Sequence, residues 1–263
     1  MTSNPSLTAN APLGVGRIIS ESFSILFRNI VPVMVLGFVP SLIGLLISIA
    51  LNGTAATFGL ETADPFAGTS VAGSLISTIL QLVIQGITIA LLVQLAYDAK
   101  LGNPVTPGQY ISPAIRAVVP IAVLSLVIGI LASIGFLLLI IPGLIIYAMY
   151  SVTTPAIMIE RVGFGGMTRS AQLTKEYRWP IIGAIILLGL CMFGISFATM
   201  FVVGLLIAAL GVGTVGIGVG IVVFALLTAF TYGLTGIGSA LIYARLREIK
   251  EGVSVDKLAA VFD

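Results

Sequence analysis

Four long stretches of the chain, 29–60, 65–97, 117–159 and 179–244, contain no Asp, Glu, Lys or Arg. A helix needs about 20 apolar residues to cross roughly 30 Å of hydrocarbon. The first two stretches can therefore hold one span each, and the last two a helical hairpin each. A polar loop containing Glu61, Asp64 and Pro65 separates spans one and two. Pro142-Gly143 divides the third stretch, and the glycines Gly211, Gly213 and Gly216 divide the fourth. The expectation is six spans, near 30–51, 72–97, 117–141, 144–160, 180–210 and 217–244. The fourth is short and the fifth long, which points to one of them being irregular or tilted.

With six spans, all twelve Lys and Arg residues fall on one side: Arg17, Arg28, Lys100, Arg116, Arg161, Arg169, Lys175, Arg178, Arg245, Arg247, Lys250 and Lys257. The positive-inside rule makes that side the cytoplasm and places both termini there. Composition agrees, with 58% hydrophobic residues, 8% charged residues and a mean hydropathy of +1.19, values foreign to a soluble domain. A net charge of +2 gives no reason to expect nucleic acid, and the basic residues read instead as topology signals and headgroup contacts. Residues 1–12 form a polar tail with no basic stretch leading into an apolar core, so no cleavable signal is expected. The membrane domain runs over 13–252. A short cytoplasmic helix follows within 253–263, where Ser254 can cap 255–262.

The chain repeats a unit. The stretches 14–28, 108–116 and 165–178 are amphipathic, end in Arg, and are followed within a few residues by Pro32, Pro120 and Pro180. The predicted architecture is all-α: a polytopic membrane protein of six transmembrane helices, arranged as three hairpins each preceded by a cytoplasmic interfacial helix lying in the headgroup plane. Arg17, Arg28, Arg116, Arg169, Lys175, Arg178 and the only tryptophan, Trp179, make a basic rim suited to lipid or a partner. The plainer alternative is that these residues only anchor the rim.

Catalytic provision is poor. The chain has no His and one cysteine, Cys191, so the commonest general base, the commonest metal ligand and any cysteine-based cluster are missing. No catalytic residue, metal or cofactor is expected, and the outer Glu61 and Asp64 read as a solvated loop. The Gly211–Gly216 segment fits a dinucleotide fingerprint in letters, but it joins two apolar spans, the wrong context. Asn52-Gly53-Thr54 matches a glycosylation sequon and reads as a chance match against the membrane surface.

No ionisable residue falls inside a predicted span, which argues against proton-coupled transport. Uncharged polar stripes remain: Gln81, Gln85 and Thr88 in span two, Ser196 and Thr199 in span five, and Thr228, Thr231, Tyr232, Thr235 and Ser239 in span six. They read either as hydrogen-bond glue between helices or as the lining of a cavity. Gly233, Gly236 and Gly238 beside the last stripe favour close packing.

In order along the chain, Leu138 to Ile145 with its Pro142-Gly143 core, Pro155 to Glu160, Arg169-Ser170 with Leu173-Thr174-Lys175, and Leu241 to Arg247 resemble successive signatures of one bacterial family. It comprises the membrane domain attached to some glycerophosphoryl diester phosphodiesterases and related stand-alone six-span proteins. The resemblance covers about 14–263. It implies the bacterial inner membrane, and it carries over neither the phosphodiesterase activity, which belongs to a separate domain missing here, nor any site residue. Glu160, Arg169, Ser170 and Lys175 are the positions to mutate first.

The function expected is that of a non-catalytic integral membrane protein organising lipid, chiefly anionic, or a partner membrane complex through its rim. Homo-oligomerisation stays open. The alternative is a channel or carrier for a small polar or lipidic solute.

Overall fold

The computed structural model describes residues 12–53, 57, 71–211 and 213–252. The N-terminal tail, Glu61, Asp64, Thr54 of the sequon and the C-terminal segment with Lys257 lie outside the described residues. Nine α-helices account for nearly all of the described chain, and no strand occurs among the described residues. They are α1 Val15–Arg28, α2 Ile30–Asn52, α3 Val71–Leu101, α4 Pro107–Leu138, α5 Ile140–Tyr150, α6 Thr153–Glu160, α7 Gly166–Thr174, α8 Arg178–Leu210 and α9 Thr214–Glu251. Six helical segments are long and apolar enough to cross a membrane: Ile30–Asn52, Ile76–Leu101, Pro107–Leu138, Ile140–Glu160, Arg178–Leu206 and Val215–Glu251.

Proline sets most of the helix starts. It lacks an N–H and its ring clashes with the carbonyl four residues back, so it is tolerated in a first turn and disruptive further in. Pro32, Pro142, Pro155 and Pro180 each stand at the third residue of a helix, α2, α5, α6 and α8. The break in the third stretch therefore falls at Leu139, which is extended at φ −164°, ψ 154°, and not at the expected Pro142-Gly143. Pro155 likewise splits the fourth span into α5 and α6 around Ser151 and Val152. Pro113 and Pro120 stay inside α4. The carbonyls they leave without a donor belong to Gln109 and Arg116, which are exposed at the rim.

One consequence corrects the repeat. The expected second interfacial helix, 108–116, is the first turns of α4, a helix of 32 residues and about 48 Å. α1 and α7 are separate, but their buried apolar residues face the bundle, with Phe27 of α1 left 60% exposed. α1 buries Ile18, Ile25 and Leu26 in packing on α8 and α9, and α7 packs on α5, α6 and α9. Both cap the bundle.

α9 is the centre. It packs on α2, α3 and α8 because Gly233, Gly236 and Gly238 leave room for them. A Cβ at these positions would stand 2.7 Å from Val33, 2.7 Å from Leu92 and 2.8 Å from Leu188, one contact on each neighbour. The buried core gathers towards the basic end. Leu26, Leu92, Leu95, Leu173, Ile181, Leu234, Ile237, Tyr243 and Leu246 are at most 2% exposed, whereas Leu137 to Ile141 at the other end are 58–87% exposed. Apolar surface at that depth is solvated by lipid tails and gains nothing from burial.

Candidate functional site

Two places concentrate polar side chains. The first is at the basic end, where α6, α7 and α9 meet. Arg169 of α7 donates from Nε and Nη2 to the two oxygens of Glu160 at the end of α6, at 2.7 and 2.8 Å. This bidentate fork is the strongest geometry for such a pair. Arg169 also pairs with Glu251, Arg247 donates to Glu251 at 2.9 Å, and the Tyr243 hydroxyl donates to Glu160 at 2.5 Å. The guanidinium of Arg247 lies 5.8 Å from the Tyr243 ring centroid, within cation–π range. The Glu160 hydrogen bond, with a further one from Glu251, holds the Arg169 pKa above its ordinary value.

Beside this cluster the break between α5 and α6 leaves carbonyls without helical donors, and hydroxyls supply them. Ser151 Oγ donates to Ala148 O at 2.9 Å and Thr153 Oγ1 to Tyr150 O at 2.8 Å. From α7, Ser170 Oγ and Thr174 Oγ1, both on fully buried residues, donate to Met149 O at 2.9 and 3.0 Å. An unsatisfied carbonyl at this depth would cost several kcal/mol, so α7 is the donor set that permits the broken span.

Other rim residues behave differently. Glu21 pairs with Lys100 and Arg245 with Glu248 at 2.6 Å. Arg17, Arg28, Arg116 and Lys175 make no ion pair among the described residues. Arg28, Arg116 and Lys175 are exposed, and Trp179 is 68% exposed. Arg178 turns inward, with Nη2 3.4 Å from the Met149 sulfur.

The second place is a half-open cavity of about 550 Å³ lined by α3, α4, α5, α6, α8 and α9. Its lining comes from 82–89, 125–136, 147–154, 185–192 and 235–242, all within the segments long and apolar enough to span a membrane, and it reaches the basic end at Thr153, against which Gly166 of α7 packs. No Asp, Glu, Lys or Arg lines it. Gln85, Ser125, Ser133, Tyr147, Tyr150 and Thr154 line it, and none of their side chains has a hydrogen-bond partner among the described residues. Ser239 and Thr235 bond back to their own helix, at Gly236 O (3.0 Å) and Thr231 O (2.9 Å).

Of the polar stripes, Gln85, Thr235 and Ser239 line the cavity, while Gln81, Thr88, Thr228, Thr231 and Tyr232 do not. Gln81 donates across the α2–α3 interface to Gly44 O at 2.9 Å. Thr88, Thr199 and Thr231 bond to the carbonyl four residues back in their own helix, so these three are neither interhelical glue nor lining. The sequence reading missed Ser125, Ser133, Tyr147, Tyr150, Ser151, Thr153 and Thr154. Two signals were legible: the small-residue ladder Ser125, Gly129, Ser133 at steps of four, and the polar run from Tyr150 to Thr154 directly before Pro155.

Fold and site together define a multi-pass, all-α membrane protein with an uncharged intramembrane cavity beneath an ion-paired end. No group of His, Cys, Asp and Glu suited to a metal occurs among the described residues. Compared with known proteins, the chain matches no family model, no curated protein and no solved structure.

Proposed function

We propose that the chain is a non-catalytic protein of the bacterial inner membrane, with its basic end cytoplasmic, that gathers anionic lipid or a membrane partner around that end. The resemblance of the motifs from Leu138 to Arg247 supports the bacterial setting. One observation carries the rest. The carboxylates Glu21, Glu160, Glu248 and Glu251 are taken up by internal ion pairs, and Arg28, Arg116 and Lys175 remain outward and unpaired among the described residues, beside an exposed Trp179. Arg169 is removed from the rim set, since its charge is spent within the protein. Each cation near an anionic surface contributes about 1 kcal/mol. Changing Arg28, Arg116 and Lys175 together to Glu should lower retention of phosphatidylglycerol, counted by native mass spectrometry, by roughly 100-fold and leave phosphatidylcholine unchanged. Equal retention by the variant would sink the proposal.

The cavity favours a second reading, a carrier for a small polar or lipidic solute without proton coupling. Solute or lipid flux in proteoliposomes, abolished by filling the cavity at Gly129, is its test. Flux that survives the filling removes this reading.

A further inference from the structure

We propose that the cavity is a binding site for a neutral, hydroxyl-bearing membrane lipid, with the polar head held by Gln85 and the hydroxyls around it and the chain laid against the apolar wall. Naming the ligand deepens the carrier reading. Binding is measured here without transport, so either can fail while the other stands.

Charge excludes most headgroups. A phosphate or an ammonium drawn into the cavity would lose its hydration and meet no opposite charge, because the lining holds no ionisable acid or base apart from the two tyrosines; burial of an unpaired charge is far more costly than burial of a neutral polar group. Polarity excludes a bare hydrocarbon. The Gln85 amide and the Ser125, Ser133, Thr154, Tyr147 and Tyr150 hydroxyls face this space with no hydrogen-bond partner among the described residues. At membrane depth such groups are costly unless something bonds them. An amide and a hydroxyl both donate and accept, so they match a ligand whose hydroxyl does both and whose ester oxygens accept.

Shape and depth point to an occupant from the bilayer. Leu82, Ile89, Ile128, Ile185, Leu188 and Ile242 supply an apolar wall, and all of the lining but Ser151, in the turn between α5 and α6, comes from helices. About 550 Å³ falls in the usual range for sites that enclose a ligand of drug size, enough for a glycerol-sized head and the first part of a chain. Gly129 and Gly189 line this space and are exposed, and a Cβ at either would meet no atom within 4 Å. A large side chain there fills the cavity without disturbing the packing.

The test uses the full chain in nanodiscs containing either a photoreactive diacylglycerol or a photoreactive phosphatidylglycerol, each with the reactive group on the acyl chain. The neutral probe is expected to label peptides covering 125–136 or 185–192 about five- to tenfold more than the anionic probe. Gly189→Phe and Gln85→Leu should each cut that labelling about five- to tenfold, the size of one lost contact worth a hydrogen bond. Gly194→Phe, on the same helix with open space at its Cβ and outside the lining, should leave it unchanged. Gly129→Phe takes the place of Gly189→Phe if the latter does not fold. Equal labelling by both probes, labelling that survives the cavity-filling variants, or no labelling of these peptides by the neutral probe would each overturn the assignment.

Discussion

The basic end and the mid-membrane cavity hold polar side chains under opposite rules. At the basic end, charges are dense and matched. Glu160 alone accepts from Arg169 twice and from Tyr243 once, and the same corner supplies hydroxyls to the carbonyls freed by the broken span. In the cavity no Asp, Glu, Lys or Arg lines the space, and Gln85, Ser125 and Ser133 have no bond to the described protein. Charge sits where water or a counter-charge reaches it, and only neutral polarity is carried to membrane depth. Polar groups that hold the fold are thereby separated from those left open to a ligand.

Breaking the matched end should have the largest effect. Glu160→Ala leaves Arg169, Arg247 and the buried Tyr243 hydroxyl short of their shared acceptor. The expected loss is about 2–4 kcal/mol, read as a lowered thermal midpoint in detergent, and a midpoint within about a degree of the parent would refute the role of this cluster as a lock.

The next experiment sets the two regions side by side. Ser170→Ala with Thr174→Val removes both donors from Met149 O, at an expected cost of about 1–3 kcal/mol for an orphaned carbonyl. Ser125→Ala with Ser133→Ala removes as many hydroxyls from the cavity and should shift stability by no more than about 0.5 kcal/mol, since no protein bond is lost. Similar costs for the two pairs would erase the distinction between structural and open polarity.

The smallest effect is at Glu176, which holds φ at +75° in the turn before α8, a conformation disfavoured for any residue with a Cβ. Its ion pair with Lys250 is long, at 3.9 Å, and largely exposed. Glu176→Gly should raise stability by about 0.5–1 kcal/mol, and a drop would mean that the ion pair outweighs the strain.

The six spans were legible because the uncharged stretches reflect a physical threshold, the length of helix that crosses hydrocarbon. Where the helices begin was less so. Pro142 and Pro155 announce a break, but each break precedes its proline, because a first turn needs no N–H there and the clash falls on the carbonyl behind. The stripes of span six were visible as 3.6-residue periodicity, yet periodicity does not distinguish a threonine bonded to its own helix, as Thr231 is, from one facing a space.

By itself the sequence determined that this chain is helical, crosses the membrane six times and keeps its cations at one end, since hydropathy and charge act locally on each segment. Tertiary structure alone decided that Arg169 belongs to an internal lock with residues 9 and 82 positions away along the chain, that α1 and α7 pack on the bundle, and that five separated stretches line one uncharged cavity. Those outcomes depend on which glycines let α9 approach three neighbours at once, and on which hydroxyls reach the carbonyls of a broken helix.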